Sequence, residues 1–175
     1  MKIGLLSCAV LFAASFMVAG QAQEKSEEVT VRIVKYDGLK EEVLKHRGKV
    51  VVVDFWADFC LPCKKRFPHM VETHRKYAKD GLTMISVSLD SLEGTREGEV
   101  KDKVLGFLKK HGATFPNLIL DEDSDLWEKK LRFNNIPNMY VFSRQGKWTQ
   151  FDAQTLDDEP QKVERLIVEL GREKQ

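Results

Sequence analysis

Apolar residues follow two rhythms along the chain, and the changes between them mark out the elements. Val29, Val31 and Ile33 alternate with Thr30, Arg32 and Val34, which predicts a half-buried strand. Leu39, Val43 and Leu44 then share one face of a short helix ending near Gly48. Residues 50–55 read VVVVDF, apolar on both faces apart from one acid, the pattern of a central strand covered on both sides. From Cys60 to about Lys79 the positions Phe67, Met70, Val71 and Tyr77 recur at helical spacing, with Pro68 inside the run predicting a kink. Residues 82–89 form another strand. The polar stretch 91–102, with two glycines, predicts a loop running into a helix over about 100–111. A short strand at 117–120, a helix at 125–133, strands at 139–142 and 148–151 joined through Arg144 to Lys147, and a closing helix at 161–171 complete the chain. The order βαβαβαβαββα predicts a single α/β domain over residues 29–175, a mixed central sheet flanked by helices, with no internal repeat.

The first residues follow neither rhythm. Met1 and Lys2 precede the run 3–20, which carries no charge, and Ala22 and Gly20 are small residues at the two positions a signal peptidase inspects. Residues 1–22 are therefore expected to be an export signal cleaved before Gln23, with retention as a thin membrane anchor as the alternative. Residues 23–28, QEKSEE, are a polar, frayed N-terminus.

Composition narrows the classes of function. The chain has 175 residues, 42% of them hydrophobic and 31% charged, an ordinary globular balance that excludes disordered, collagenous and multi-span membrane chains. Lys and Arg total 28 against 27 Asp and Glu, so there is no general pull toward nucleic acid, and none is expected as a partner. Cleavage of residues 1–22 removes Lys2 and Cys8, leaving a neutral chain whose remaining cysteines are Cys60 and Cys63. Export would place that pair in an oxidising compartment.

Cys60-Leu61-Pro62-Cys63 sits where the buried strand gives way to a helix. Unpaired backbone N–H groups and the positive end of the helix dipole stabilise a thiolate at the first position, and the second sulfur, one turn inside, is close enough to displace it. The basic run Lys64, Lys65 and Arg66 is expected to depress the Cys60 pKa further. As a permanent staple the pair is poor, because closing a four-residue loop restricts the unfolded chain by only about 2 kcal/mol. A zinc site would need two more ligands, and His69 and His74 are five apart, off a common helical face. The acidic run 121–125 begins like a calcium loop, but Leu126 stands where the turn glycine belongs and Arg132 where the closing Glu belongs. Thiol–disulfide exchange without metal or organic cofactor is the expectation.

The segment Val53-Asp54-Phe55-Trp56-Ala57-Asp58-Phe59-Cys60-Leu61-Pro62-Cys63-Lys64 resembles the active-site segment of thioredoxins. Pro68, five residues after Cys63, falls where that family has its helix-kinking proline, and Asn135-Ile136-Pro137-Asn138 resembles its cis-proline loop. The resemblance covers roughly residues 29–172. With an extra helix and strand at about 100–120, and a predicted export signal, the chain is most similar to the extracytoplasmic TlpA/ResA-like branch.

The resemblance implies that Cys60 attacks a partner's disulfide and Cys63 resolves the mixed disulfide, leaving a redox-active disulfide between them. Asp54 matches the family's buried acid. Desolvation in a central strand should raise its pKa and let it accept the Cys63 proton near neutral pH. Pro137 is expected to hold a cis bond that exposes the Ile136 backbone to an extended partner segment, with Trp56, Phe59 and Pro62 as an apolar rim. For Trp56, simple core packing is the competing expectation. The implied partners are disulfide-containing extracytoplasmic proteins and a thiol donor, soluble or membrane-bound, with the chain expected to act as a monomer in the periplasm or another extracytoplasmic space. Phe59 stands where Trp is frequent in the family, Asn135 where Gly is common, and Leu61 replaces the Gly of thioredoxins, which leaves the redox poise open. A peroxiredoxin would carry Thr three residues before the attacking cysteine, where this chain has Ala57. The competing function is a peptide-docking or chaperone-like module whose cysteine pair stays permanently oxidised.

Overall fold

The computed structural model describes residues 28–90, 96–158 and 160–172. The expected signal segment, Cys8 and residues 91–95 lie outside them. Six strands form one sheet in the order β1-β4-β3-β2-β5-β6. They are β1 (Arg32–Val34), β2 (Val50–Trp56), β3 (Leu82–Ser88), β4 (Asn117–Leu120), β5 (Asn138–Phe142) and β6 (Trp148–Phe151). β2 pairs parallel with β3 and antiparallel with β5, so the sheet is mixed, as the element order predicts.

β2 is buried at all seven positions, and its alternation explains why. Val50, Val52 and Trp56 pack on one face of the sheet in a cluster with Cys60, Cys63 and Phe67. Val51, Val53 and Phe55 pack on the other with Leu39, Leu131 and Phe133. Successive side chains point to opposite faces, so a strand covered on both sides must be apolar at every step. Asp54, between Val53 and Phe55, is the one exception.

The helices are α1 (Tyr36–Lys45), α2 (Leu61–Tyr77), α3 (Glu97–His111), α4 (Ser124–Leu126), α5 (Ala153–Asp158) and α6 (Pro160–Arg172). Side chains of α2, α3, α5 and α6 cover the first face of the sheet, and α1 covers the second. The inserted unit is α3 followed by β4. α3 begins three residues earlier than its apolar pattern suggests, because Glu97 and Glu99 occupy the first turn, where acids favour the helix dipole. The helix predicted over 125–133 is instead the short α4 continued by a wider π-helical turn, Trp127–Leu131, that ends at Arg132 with φ 55°.

Two other expectations need correction. Leu44 is not on the inner face of α1; it is 52% exposed, and the buried positions are Leu39 and Glu42. That acid is tolerated because Arg32, Lys45 and His46 surround its carboxylate at 2.5, 3.1 and 3.3 Å. α5 was not expected, since Leu156 is its single large apolar residue; Asp152 caps it by accepting the Thr155 N–H at 2.9 Å.

Candidate functional site

The site forms where β2 hands the chain to α2. The amide of Cys60 closes a turn on the Ala57 carbonyl at 3.0 Å, and the Cys60 carbonyl accepts the first helical bond from Lys64 at 3.1 Å. Cys60 is therefore the residue that caps the helix. Its Sγ accepts the backbone N–H of Cys63 at 3.3 Å, the helix-terminal donor that the spacing called for. Cys60 and Cys63 form a disulfide, S–S 2.00 Å, Cα to Cα 5.3 Å. Pro62 fits the first turn of α2, where its missing N–H would have no helical partner.

Access to the pair is narrow. Cys60 is 6% exposed and Cys63 1%. Around them stand Phe59 and Leu61, 72% and 69% exposed, with Pro62 exposed as well. Leu61 thus joins the apolar rim, a role sequence reasoning gave only to Trp56, Phe59 and Pro62. Trp56 leaves it: the indole is fully buried, donates its Nε1–H to Ser86 Oγ at 2.8 Å, and packs between Phe67 and Phe107, with ring centroids at 5.5 and 4.7 Å. Core packing, the competing expectation, is the one that holds. The Ile136–Pro137 peptide bond is cis, Ile136 is half-buried, and Pro137 is buried just ahead of β5.

Asp54 lies on the same face of β2 as Val52 and Trp56, the face that α2 covers, and is 1% exposed on its side chain. Its carboxyl is pushed above the usual range by burial, against the pull of a cation that the sequence reading assigned elsewhere: Arg66 Nη2 donates to Asp54 Oδ1 at 2.5 Å. Oδ2 has no partner. The basic run after Cys63 therefore does not act as one positive patch on Cys60. Arg66 turns inward to Asp54, and Lys64 Nζ pairs with Asp58 Oδ1 at 2.8 Å while donating to the Asp58 carbonyl. A signal for the first pairing was present, because Arg66 follows Cys63 by three residues and precedes Met70 by four, both buried positions of α2.

Asp90 was also missed. Its carboxylate accepts the backbone N–H of Asp58 and the hydroxyl of the buried Ser88, tying the loop before Cys60 to the end of β3. Asp121 pairs with Lys35 at 2.8 Å and Glu122 accepts the Tyr36 N–H at 2.9 Å, so the first acids of the calcium-like run anchor α1.

A mixed sheet between helices, a disulfide capping the helix after the central strand and a cis-proline beside the sheet define a protein of the thioredoxin fold built for thiol–disulfide chemistry. The chain belongs to the AhpC/TSA family, whose model matches residues 24–150. Its position within that family is given by its relatives. It is 27% identical over 146 residues to the thiol-disulfide oxidoreductase ResA of Bacillus subtilis, covering 82% of this chain and 76% of that one. Against ResA of Geobacillus thermodenitrificans it is 28% identical, covering 70% of this chain and 65% of that one. Among solved structures, a putative thiol:disulfide interchange protein DsbE from Chlorobium tepidum superposes with TM-score 0.57 at 24% identity, over 74% of this chain and 84% of that one. The chain is accordingly a thiol-disulfide oxidoreductase of the TlpA/ResA-like kind. Family membership does not extend to a peroxidase-type site: the position three before Cys60 is the fully buried Ala57, which has no hydroxyl to offer. No helix among the described residues is long and apolar enough to cross a membrane.

Proposed function

We propose that this oxidoreductase is exported by residues 1–22 and reduces disulfides of extracytoplasmic proteins as a monomer. The observation that carries the reading is the capping geometry: the same helix-terminal N–H that meets Cys60 Sγ in the disulfide stabilises its thiolate after reduction. In the reduced protein the Cys60 thiolate attacks one sulfur of the client disulfide. That S–S bond breaks, the Cys60–client disulfide forms, and the first client thiolate leaves and takes a proton from water. Cys63 gives its proton to Asp54 Oδ2 and attacks Cys60 Sγ; the Cys60–client bond breaks, the Cys60–Cys63 disulfide forms, and the second client thiolate leaves. The client gains two electrons and the protein loses two, which an external dithiol donor restores.

Phe59, Leu61 and Pro62 supply an apolar surface around the pair, and the Ile136 backbone before the cis bond offers an edge to an extended client segment. Purified mature protein is expected to catalyse dithiothreitol-driven insulin reduction, Cys60→Ser to abolish it, and Cys63→Ser to accumulate mixed disulfides with clients. An inert wild type, or full turnover in Cys60→Ser, overturns the reading. The slight exposure of both cysteines favours the second reading, a docking module with a permanently oxidised pair. A pair that resists millimolar dithiothreitol decides for docking; facile reversible reduction decides for exchange.

A further inference from the structure

The Asp54–Arg66 pair joins β2 to α2, the helix that the reactive disulfide caps, with Arg66 three residues beyond Cys63. Arg66 is 12% and Asp54 1% exposed on their side chains, and the two meet at 2.5 Å. The geometry is unequal at the carboxylate. Oδ1 receives Nη2, whereas Oδ2, with Arg66 Nε and Nη1, has no partner. Taking a carboxylate out of water is costly and a partner held in place offsets that cost, so a cation fixed on one oxygen does two things. It keeps the carboxylate in a single orientation, and it lowers the cost of carrying charge.

We propose that Arg66 is a positioning residue for thiol–disulfide exchange, clamping Oδ1 of Asp54 so that Oδ2 is the oxygen left free to take the proton of Cys63. This rests on the proposed role of Asp54 as proton acceptor. Arg66 touches neither sulfur and acts only through the acid. The neighbouring elements hold few rival charges. Ser86 of β3 and Met139 of β5 stand in register with Asp54. Arg66 also borders a cavity of about 20 Å³ that His69 of α2 and Glu164 of α6 line, but Glu164 is engaged by Lys76 at 3.0 Å and by the Tyr77 hydroxyl at 3.1 Å. Burial and Arg66 are what act on the Asp54 carboxyl, in opposite directions.

Without the guanidinium, Asp54 stays protonated to higher pH and cannot serve as a base in acid. An opposite charge this close moves a carboxyl by about one to three pH units, so Arg66→Met should slow insulin reduction about tenfold or more near pH 6 and leave it close to wild type near pH 9. Arg66→Lys, which restores the charge without the planar fork, should recover much of the acid-side rate. In an Asp54→Asn background, Arg66→Met should change the pH profile no further.

The full exchange rate against pH from about 5 to 9 is the measurement, with circular dichroism confirming that each variant is folded. Uniform slowing at all pH values, an unshifted profile, or a shift that persists in the Asp54→Asn background overturns the proposal. If Arg66→Met fails to fold, the Arg66→Lys profile decides: an acid limb displaced to higher pH in Arg66→Lys, and absent when Asp54→Asn is added, supports the clamp, and an undisplaced limb overturns it. A wild-type profile in Asp54→Asn alone is a different failure, since it removes the acid from the reaction.

Discussion

The backbone N–H of Asp58 donates to both carboxylate oxygens of Asp90, at 3.1 and 3.0 Å, fixing the loop two residues before the disulfide to the end of β3. Asp90 is itself held by the Ser88 hydroxyl at 2.7 Å. The Asp58 side chain completes the attachment: Lys64 Nζ lies 2.8 Å and Lys103 Nζ 2.6 Å from its oxygens, and these two partners hold its carboxyl below the usual range. β3, the active-site helix and the inserted helix α3 thus converge on one loop.

Asp90→Ala leaves the Asp58 amide without its charged acceptor. Loss of a hydrogen bond to a charged group is expected to cost about 1–3 kcal/mol, read as a lower urea midpoint at unchanged slope. Hydrogen exchange at Asp58 should quicken, and exchange catalysis should fall because Cys60 loses its fixed cap geometry. Asp90→Asn, which keeps one acceptor oxygen, should lie between. Wild-type stability and wild-type amide protection in Asp90→Ala would show that the loop is held by its flanking elements alone.

The rim makes a separable prediction. Phe59 and Leu61 are exposed in the free protein, so replacing both with Ser should change stability by no more than about 0.5 kcal/mol. A docked client covers them, and a loss of about 1–2 kcal/mol of contact corresponds to a five- to thirty-fold fall in kcat/KM for a disulfide-bonded peptide. The fall should come through KM, with reduction of the pair by dithiothreitol unchanged, since so small a reagent needs no rim. Equal slowing with both would locate the effect at the sulfurs instead.

Where sequence and structure agree, a single physical pattern sufficed. β2 is legible because a strand buried on both faces must be apolar throughout, and Cys60, Cys63, Asp54 and the cis Pro137 are legible because each departs from such a pattern at a motif. Two of the misses share a cause: a charge buried beside its partner reads as surface. Glu42 is inside because Arg32, Lys45 and the His46 ring meet it, and Arg66 is inside because Asp54 waits on the neighbouring strand; Arg32 and Asp54 are both distant in sequence from the groups they satisfy. Trp56 shows the reverse. An aromatic two residues after the buried acid can face client or core, and only the Ser86 hydroxyl across the sheet, with Phe107 of the inserted helix, decides for the core.

Asp54 also links stability to pH, in a direction set by which influence wins. Burial raises its folded carboxyl above the value it has in the unfolded chain, with Arg66 reducing but not reversing the shift. The unfolded carboxyl therefore loses its proton first as pH rises. The contribution of Asp54 to stability is complete below the unfolded value, near pH 4, and is lost progressively up to the raised folded value. Asparagine at this position does not titrate, so the stability of wild type relative to Asp54→Asn should decline across that window, whatever fixed offset the substitution brings. Urea unfolding of both proteins at a series of pH values, compared at constant slope, measures the difference directly. A difference that rises with pH would mean that the guanidinium outweighs burial and that the folded acid is ionised more easily than the free one. In Arg66→Met the decline should extend to higher pH than in the wild type, because desolvation then acts on Asp54 unopposed.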